Sequence, residues 1–344
     1  MNLIYRGSVK DLYQNNDKIV FEYSNRYSIF DWGEMPDEIP QKGEALAAMA
    51  SMFFDHLSSK GFSSHYLSGR SRTSIEVQPV KVLRPEWKDD AYDYSMYACR
   101  PTQCLVPLEV IFRRHLGQGN SLEGRLKKNP AYLADLELTQ VPTSADSFMP
   151  ALVEVSTKLE TTDRYLSKAD VAAMNVVNDA EYAALRKSTQ EVAAELEKLF
   201  ASFGVKLWDG KFEFAFTDEN NGQRGLVLVD SIGPDELRLT YEGLPLSKEF
   251  LRQIYTGSEW SEAVKKAKDF AKERKTQDWK SICENELGQK PSPLTGEQIQ
   301  VSSWLYLALA NEIAIVLNKP RPFDEHINLK FWHQKALSLL EKKA

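Results

Sequence analysis

The chain has 344 residues, of which 42% are apolar and 27% charged, and a formal net charge of -6. That acidic balance excludes general binding to a nucleic-acid backbone, which calls for a basic surface, and leaves room only for a local basic pocket for a phosphorylated small molecule. The three cysteines, Cys99, Cys104 and Cys283, are odd in number and contain no CxxC pair, so neither a disulfide framework nor a zinc site is expected. At this length one hydrophobic core stops growing, and two or three packed lobes are expected.

The opening MNLIYRGSVKDLY has no long apolar run and no cleavage-site pattern. Residues 20–23 read as a short strand. Residues 45–57 are apolar at helical spacing, with Gly61 as the stop. Residues 74–83 alternate as a strand ended by Pro85, and 104–112 form another β-rich run. Residues 180–203 predict a long amphipathic helix with Leu185, Val192, Leu196 and Leu199 on one side and Gly204 at its end. Strands at 205–216 and 225–230 follow, joined by the turn-forming residues 218–222. Helices are expected at 260–287, 296–317 and 328–342, with 288–293 as a linker. The apolar stretch 304–317 is interrupted by Asn311 and Glu312 and reads as too short to span a bilayer, so a cytoplasmic protein without a membrane partner is expected. There is no internal repeat. The elements divide the chain into a β-rich lobe (1–108), a mixed lobe (109–257) and a helical segment (258–344).

The strand at 205–216 carries the densest chemistry. Side chains alternate across a strand, so Trp208, Phe212, Phe214 and Phe216 share a core face with Gly210, while Asp209, Lys211 and Glu213 line the other. The next strand ends in Asp230, which a hairpin would bring to that charged face. Carboxylates around a lysine suit Mg²⁺ and phosphate chemistry, and they equally suit a solvated face with cross-strand ion pairs. Residues 109–121 run from a strand through Arg113 and Arg114 into a Gly-rich turn ending at Ser121. Guanidinium, loop N–H groups and a hydroxyl could cradle a phosphate monoester, or form a charged surface loop. Gly7 and Lys10 sit in a strand–turn–strand context that could let backbone and ammonium approach a phosphate, and that by itself reads more readily as an ordinary hairpin with an exposed lysine. Residues 156–163, with Lys158, form a polar loop that could hold an anion.

Order and spacing together resemble the SAICAR (phosphoribosylaminoimidazole-succinocarboxamide) synthetase family. YRGSVKDLY is similar to the family's YRGK-x-K/R-x-x-Y, NRYSIFD at 25–31 to D-R-x-S-A-F-D, and IPQKG at 39–43 to I-P-x-K-G. Residues 107–121 resemble the P-x-E-x-x-x-R strand with its Gly/Ser loop, and 156–163 the S/T-T-K-x-E-x-x-D loop. DGKFEF at 209–214, Asp230 and PDELR at 234–238 complete the series. Ser8, Asn25, Ser231 and Leu237 depart from the family pattern.

The resemblance implies an α+β, bilobal ATP-binding fold with a small β-rich N-terminal lobe, a larger mixed lobe and a helical C-terminal segment, with ATP in the cleft. It implies an ATP- and Mg²⁺-dependent ligase of de novo purine biosynthesis. Its substrates would be 5-aminoimidazole-4-carboxylate ribonucleotide (CAIR) and L-aspartate, joined through an acyl phosphate. A ligase of the same fold with another acid or amine, or a non-catalytic nucleotide-binding paralogue, are the alternatives; a homo-oligomer is compatible with either. By the same resemblance Glu213 and Asp230 would hold Mg²⁺, and Lys10, Gly7, Glu109 and Asp230 would contact the nucleotide. Arg113, Ser121, Arg238 and Asp235 would bind CAIR, and Ser28, Asp31, Lys42 and Lys158 would line the CAIR and aspartate side. Lys211 would lie close to the reacting groups and Asp209 would orient the substrate.

Overall fold

The computed structural model describes residues 1–117 and 120–342. Gln118 and Gly119, at the centre of the expected Gly-rich turn, lie outside the described residues. The chain forms two compact units interleaved in sequence: residues 1–51, 68–76 and 241–344 make one, and 52–67 with 77–240 the other. The sequence suggested three consecutive segments; the first unit instead joins the N-terminal strands to the C-terminal helices. Hydrogen bonds at long sequence separation account for this grouping, including Tyr27 Oη to Tyr255 Oη at 3.0 Å, Leu294 N–H to Asp37 Oδ2 at 2.6 Å and Ser303 Oγ to the Pro40 carbonyl at 2.8 Å.

In the first unit a five-stranded sheet runs β1 (Asn2–Arg6), β2 (Lys10–Asn15), β3 (Lys18–Tyr23), β5 (Ser74–Val77), β4 (Tyr66–Gly69). The predicted strand 74–83 is therefore cut to four residues, because Pro79 has no N–H to continue the ladder. The β1–β2 hairpin turns at Gly7, whose N–H donates to the Lys10 carbonyl at 3.0 Å. A Cβ at Gly7 would lie 2.6 Å from that same carbonyl oxygen, so the turn demands glycine. Helix α1 (Lys42–Ser59) covers the predicted 45–57.

The C-terminal helices of this unit are α6 (Lys248–Tyr255), α7 (Glu259–Glu273), α8 (Trp279–Ser281), α9 (Gly296–Val316) and α10 (Leu329–Glu341). The expected single helix 260–287 is broken: Lys275 adopts a left-handed φ of 53°, and Asp278 caps a new start by accepting from Ser281 N–H at 3.2 Å. The expectation for 304–317 is also corrected. With its capping box at Thr295 the helix extends to 21 residues, long and apolar enough to cross a bilayer. It is a core helix all the same, since 67% of its apolar stretch is buried inside the protein, where it packs on α10 beside the fully buried Trp332.

The second unit is built on long antiparallel strands in the order β12 (Leu237–Tyr241), β10 (Val205–Asn220), β8 (Cys104–His115), β9 (Ser147–Thr157), with β11 (Gln223–Val229) paired to β10. A two-stranded ribbon, β6 (Glu86–Lys88) with β7 (Ala91–Asp93), lies in the same unit, and β12 turns through Glu242 and Gly243 into β13 (Leu244–Leu246). The predicted 218–222 turn is present, with Asn221 and Gly222 at positive φ. The strand β9 was not anticipated. Short helices α2 (Ser121–Lys128), α3 (Tyr132–Asp135) and α4 (Lys168–Met174) connect the strands, and α5 (Asp179–Ala201) lies across β8, β9 and β10.

The pairing register produces the two faces read from the sequence. Gly210 opposes Phe112 and Phe212 opposes Val110, and the Phe112 and Phe212 rings stack at 4.9 Å. A Cβ at Gly210 would fall 2.8 Å from Phe112 and 2.6 Å from Leu237, so this glycine is what allows the aromatic face to close. Burying that face is the main source of stability of the sheet, at about 1.5–3 kcal/mol for each large apolar side chain. On the opposite face Asp209 opposes Arg113 and Glu213 opposes Glu109.

Helix α5 is fastened at its first turn by a buried ion pair. Glu181, in the first turn, accepts from Arg224 Nε and Nη2 at 2.9 Å each and from the Asn178 N–H at 3.0 Å. Both side chains of the pair are at most 1% exposed. Burial works to raise the Glu181 pKa, but the hydrogen bonds from Arg224 and Asn178 outweigh it and hold it down at about 2. Glu181→Gln leaves the Arg224 charge buried against a neutral partner and should cost about 3–5 kcal/mol, read as a lower urea midpoint. The sign with pH follows from the depressed value. The pair's stabilisation is present above the ordinary glutamate range and is lost as pH falls through that range towards 2, so the wild-type and Glu181→Gln midpoints should converge on acidification.

Candidate active site

Ten of the expected residues fall in the second unit, most of them on the charged face of its sheet, and they form two clusters on either side of Lys211. The first gathers Glu109 from β8, Lys158 just after β9, Lys211 and Glu213 from β10, and Asp230 just after β11. Glu109 Oε1 accepts from Lys211 Nζ at 2.6 Å and from Lys158 Nζ at 3.2 Å, and Lys158 Nζ lies 2.7 Å from Glu213 Oε1. Asp230 has a left-handed φ of 64°, which costs energy for a residue with a Cβ and is a mark of functional positions. Its carbonyl lies 3.0 Å from Nε2 of the buried His65, and His65 N–H donates to Leu228 O at 2.9 Å, so the 63–65 segment braces the end of β11.

The electrostatics show what this cluster lacks. Burial would raise the Glu109 pKa, but Lys211 and Lys158 hold it below the usual carboxylate range. Burial works against the charge on Lys158, but Glu213 and Glu109 raise its pKa well above that of a free lysine; Lys211 is raised in the same way, chiefly by Glu109. Glu213 goes the other way: burial first, then the charge of Asp230, push it up, and Lys158 offsets only part of this. Three carboxylates meet two ammonium groups here, and Glu213 and Asp230 are neighbouring hard oxygen donors. Among the described residues no group of three or more His, Cys, Asp and Glu forms a metal cage. Two carboxylates with phosphate oxygens and water completing the shell are the usual Mg²⁺ arrangement, so the donor set fits that ion.

The second cluster has the opposite balance. Arg113 is buried; its Nε donates to Glu154 Oε2 at 2.5 Å, Nη1 to Asp209 Oδ2 at 3.3 Å and Nη2 to Ser121 Oγ at 3.3 Å. Arg238 Nη1 lies 3.4 Å from Asp209 Oδ2, and its side chain is 34% exposed. Arg125, from α2, donates to Ser121 Oγ at 2.9 Å and also to Glu154. Three guanidinium groups gather around Glu154 and Asp209. Asp209 therefore belongs to the arginine end of the face, away from the lysines. Asp235 is half-buried in the loop before β12, where the neighbouring Glu236 carbonyl accepts from Lys211 N–H at 3.2 Å.

The other five expected residues belong to the first unit. Gly7 and Lys10 form the β1–β2 turn, with the Lys10 ammonium 4.8 Å from the Phe21 ring centre. Asp31 follows Phe30, both at positive φ, and pairs with Lys268 Nζ at 2.7 Å; Ser28 lies three residues earlier and is half-buried. Lys42 is fully buried, with its ammonium 5.1 Å from the Tyr306 ring centre. Glu154, Arg125 and His65 were not picked out from the sequence. Glu154 did leave a signal, as a lone acid in the apolar run Leu152-Val153-Glu154-Val155, where a carboxylate is buried only when paired.

Residues 3–267 match the SAICAR synthetase family. A relative from Archaeoglobus fulgidus is 35% identical over 327 residues, covering 89% of this chain and 93% of its own. The phosphoribosylaminoimidazole-succinocarboxamide synthase of Thermoplasma acidophilum is 30% identical over 276 residues, covering 78% of this chain and 88% of its own. Among solved structures, the SAICAR synthase of Saccharomyces cerevisiae complexed with SAICAR is similar over 94% of this chain and 97% of its own, with a TM-score of 0.63 at 18% identity. With that fold, and with a family match that takes in both charged clusters, the chain belongs to the SAICAR synthetase family.

Proposed function

We propose that this chain joins the carboxylate of CAIR to the amine of L-aspartate at the expense of ATP, with the charged face of β10 as the reaction platform. The observation that carries this reading is the polarity of that face. Asp209 and Glu213 are separated by four residues, roughly 13 Å along a strand. One end gathers the guanidinium groups of Arg113, Arg125 and Arg238, and the other gathers the carboxylates of Glu109, Glu213 and Asp230, with Lys211 between them. A ribonucleotide with a phosphate at one end and a reacting carboxylate at the other suits that spacing.

At the positive end Arg113, Arg238 and Ser121 receive the CAIR phosphate. Asp209 acts through Arg113 and Arg238, fixing their planes, and so positions the substrate; Asp235 supports the same end. At the negative end Glu213 and Asp230 would hold Mg²⁺, which when bound draws charge off the ATP phosphates. By the family resemblance Lys10 and Gly7 are assigned to the nucleotide, and Ser28, Asp31 and Lys42 to the substrates. A solved SAICAR synthetase structure in complex with ADP, 20% identical with a TM-score of 0.55, is in keeping with a nucleotide site.

A carboxylate is a poor electrophile, which is why the reaction needs ATP. A CAIR carboxylate oxygen attacks the γ-phosphorus, ADP leaves, and an acyl phosphate forms. The aspartate amine then attacks the acyl carbon, the C–O bond breaks, and inorganic phosphate departs with the electron pair while the amine loses a proton. Lys211 and Lys158, held cationic by Glu109 and Glu213, neutralise the charge that develops on the transferred phosphoryl group and then on the departing phosphate.

The test is turnover of the purified chain with ATP, Mg²⁺, CAIR and L-aspartate, followed by ADP release and product formation. Product that needs all four components supports the reading. ADP release that depends on a different acid or amine, or nucleotide binding with no turnover for any pairing, would overturn it. Within the site, Asp230→Asn should lower kcat at least about 100-fold by weakening the metal site, with little change in melting temperature. A rate near that of the wild type would remove the metal assignment. Lys211→Met leaves Glu109 paired only with Lys158, and is expected to lower kcat much more than it raises the KM for ATP; the reverse pattern would make Lys211 a ground-state binding residue.

A further inference from the structure

Glu154 is the most deeply buried carboxylate on the charged face, with a side chain of 0% exposure on β9 opposite Ile111. Its two oxygens are divided between two arginines. Oε2 accepts from Arg113 Nε at 2.5 Å, and Oε1 accepts from Arg125 and from Tyr132 Oη at 3.1 Å. Arg125 is also clamped from the side, with its guanidinium carbon 3.5 Å from the Tyr165 ring centre and 5.8 Å from that of Tyr132. A carboxylate in this position is costly to bury, and one arginine would neutralise it. Arg113 divides its charge between Glu154 and Asp209, and Arg125 brings a second positive charge to Glu154.

Ser121 shows where that charge is directed. Its Oγ accepts from Arg113 Nη2 at 3.3 Å and from Arg125 Nη1 at 2.9 Å. With both lone-pair directions taken by N–H donors, the hydroxyl has only its proton left to offer, and it can offer this only to an acceptor. Ser121 opens α2, directly after the Asn120 cap, so the helix adds its own positive end at the same point. Arg125 Nε has no hydrogen-bond partner among the described residues. Two guanidinium groups, a hydroxyl limited to donating and a helix N-terminus converge on one anion site.

We propose that Arg125 is a further phosphate-binding residue of this site, and that Glu154 is the positioning residue that locks Arg125 and Arg113 into one fork around Ser121. This rests on the reading that the CAIR phosphate sits at Arg113 and Arg238. Arg125 faces the phosphate alone, so its contribution should vanish when the phosphate is absent.

The experiment compares CAIR with its 5′-hydroxyl nucleoside, as substrate or as competitive inhibitor, in the wild type, Arg125→Gln, Glu154→Gln and Arg238→Gln. Arg125→Gln is expected to raise the KM for the ribonucleotide by about 10–100-fold, while kcat and the KM values for ATP and aspartate change little and the nucleoside binds as it does to the wild type. Glu154→Gln should show the same phosphate-dependent pattern, and Arg125→Lys should recover part of the loss. Equal losses on ribonucleotide and nucleoside would make Arg125 a purely structural partner of Glu154 and overturn the proposal. Arg238→Gln separates the two levels. If it discriminates against the phosphate and Arg125→Gln does not, only the role of Arg125 falls; if neither does, the phosphate pocket itself is misplaced. Should Arg125→Gln fail to fold, Arg125→Lys with the same substrate pair decides.

Discussion

Everything in the second unit depends on β10 having to bury both of its faces. One face is aromatic and closes against β8 and α5, with Gly210 making room for Phe112 and Leu237. The other carries Asp209, Lys211 and Glu213, of which the two acids are almost entirely withdrawn from water. Charges in that position are tolerated only when matched, so neighbouring strands must supply counter-charges at the register positions opposite them. Arg113 faces Asp209, and Lys158 reaches Glu213 from the end of β9. That matching is uneven along the face, with guanidinium groups gathered at Asp209 and carboxylates gathered at Glu213.

The mismatch also explains the directions in which the ionisable groups move. Glu109, between two lysines, is held ionised, whereas Glu213, next to Asp230, is driven towards its neutral form. The two glutamates oppose each other on paired strands and differ only in what stands beside them. A cation at Glu213 and Asp230 would relieve the repulsion that burial amplifies there, while the ion pairs at Glu109 would be unaffected. The same reasoning separates the two lysines by role: Lys158 bridges Glu109 and Glu213, whereas Lys211 pairs with Glu109 and remains the more exposed of the two.

Much of this was legible in the sequence, because alternation along a strand is a local property. The split of β10 into an aromatic and a charged face, the Asn221-Gly222 turn, the return of Asp230 and the helix α5 follow from neighbours within a few residues of each other. Elements whose boundaries depend on tertiary context were read less well. The break at Lys275 lies in a helical pattern without Gly or Pro, and strand β9 follows a polar loop that masked its start. Among the proposed site residues, pattern alone points to Arg113, Lys211 and Glu213, while Lys158 takes its proposed role from the family resemblance. Glu154, Arg125 and His65 escape a local reading because each has a bonding partner at least 29 residues away. Register between β8 and β9 is what creates the Glu154 fork, and no local pattern encodes it.

The departures from the family pattern can be weighed by the same physics. Asn25 replaces an acid, yet its Oδ1 accepts the Gly43 N–H at 3.1 Å, the bond a carboxylate oxygen would accept in its place. Gly43 is itself constrained, since a Cβ there would meet the Tyr23 carbonyl oxygen at 2.6 Å, so this hydrogen bond holds a turn that only glycine can make. The change removes a charge and keeps the geometry. Leu237 on β12 is buried against Gly210 on the apolar side of the sheet, away from the charged face where the adjacent Arg238 meets Asp209. Both substitutions lie where shape is needed and charge is not, whereas Lys211, Glu213, Asp230 and Arg238 keep the charged groups of the family pattern on that side of the sheet.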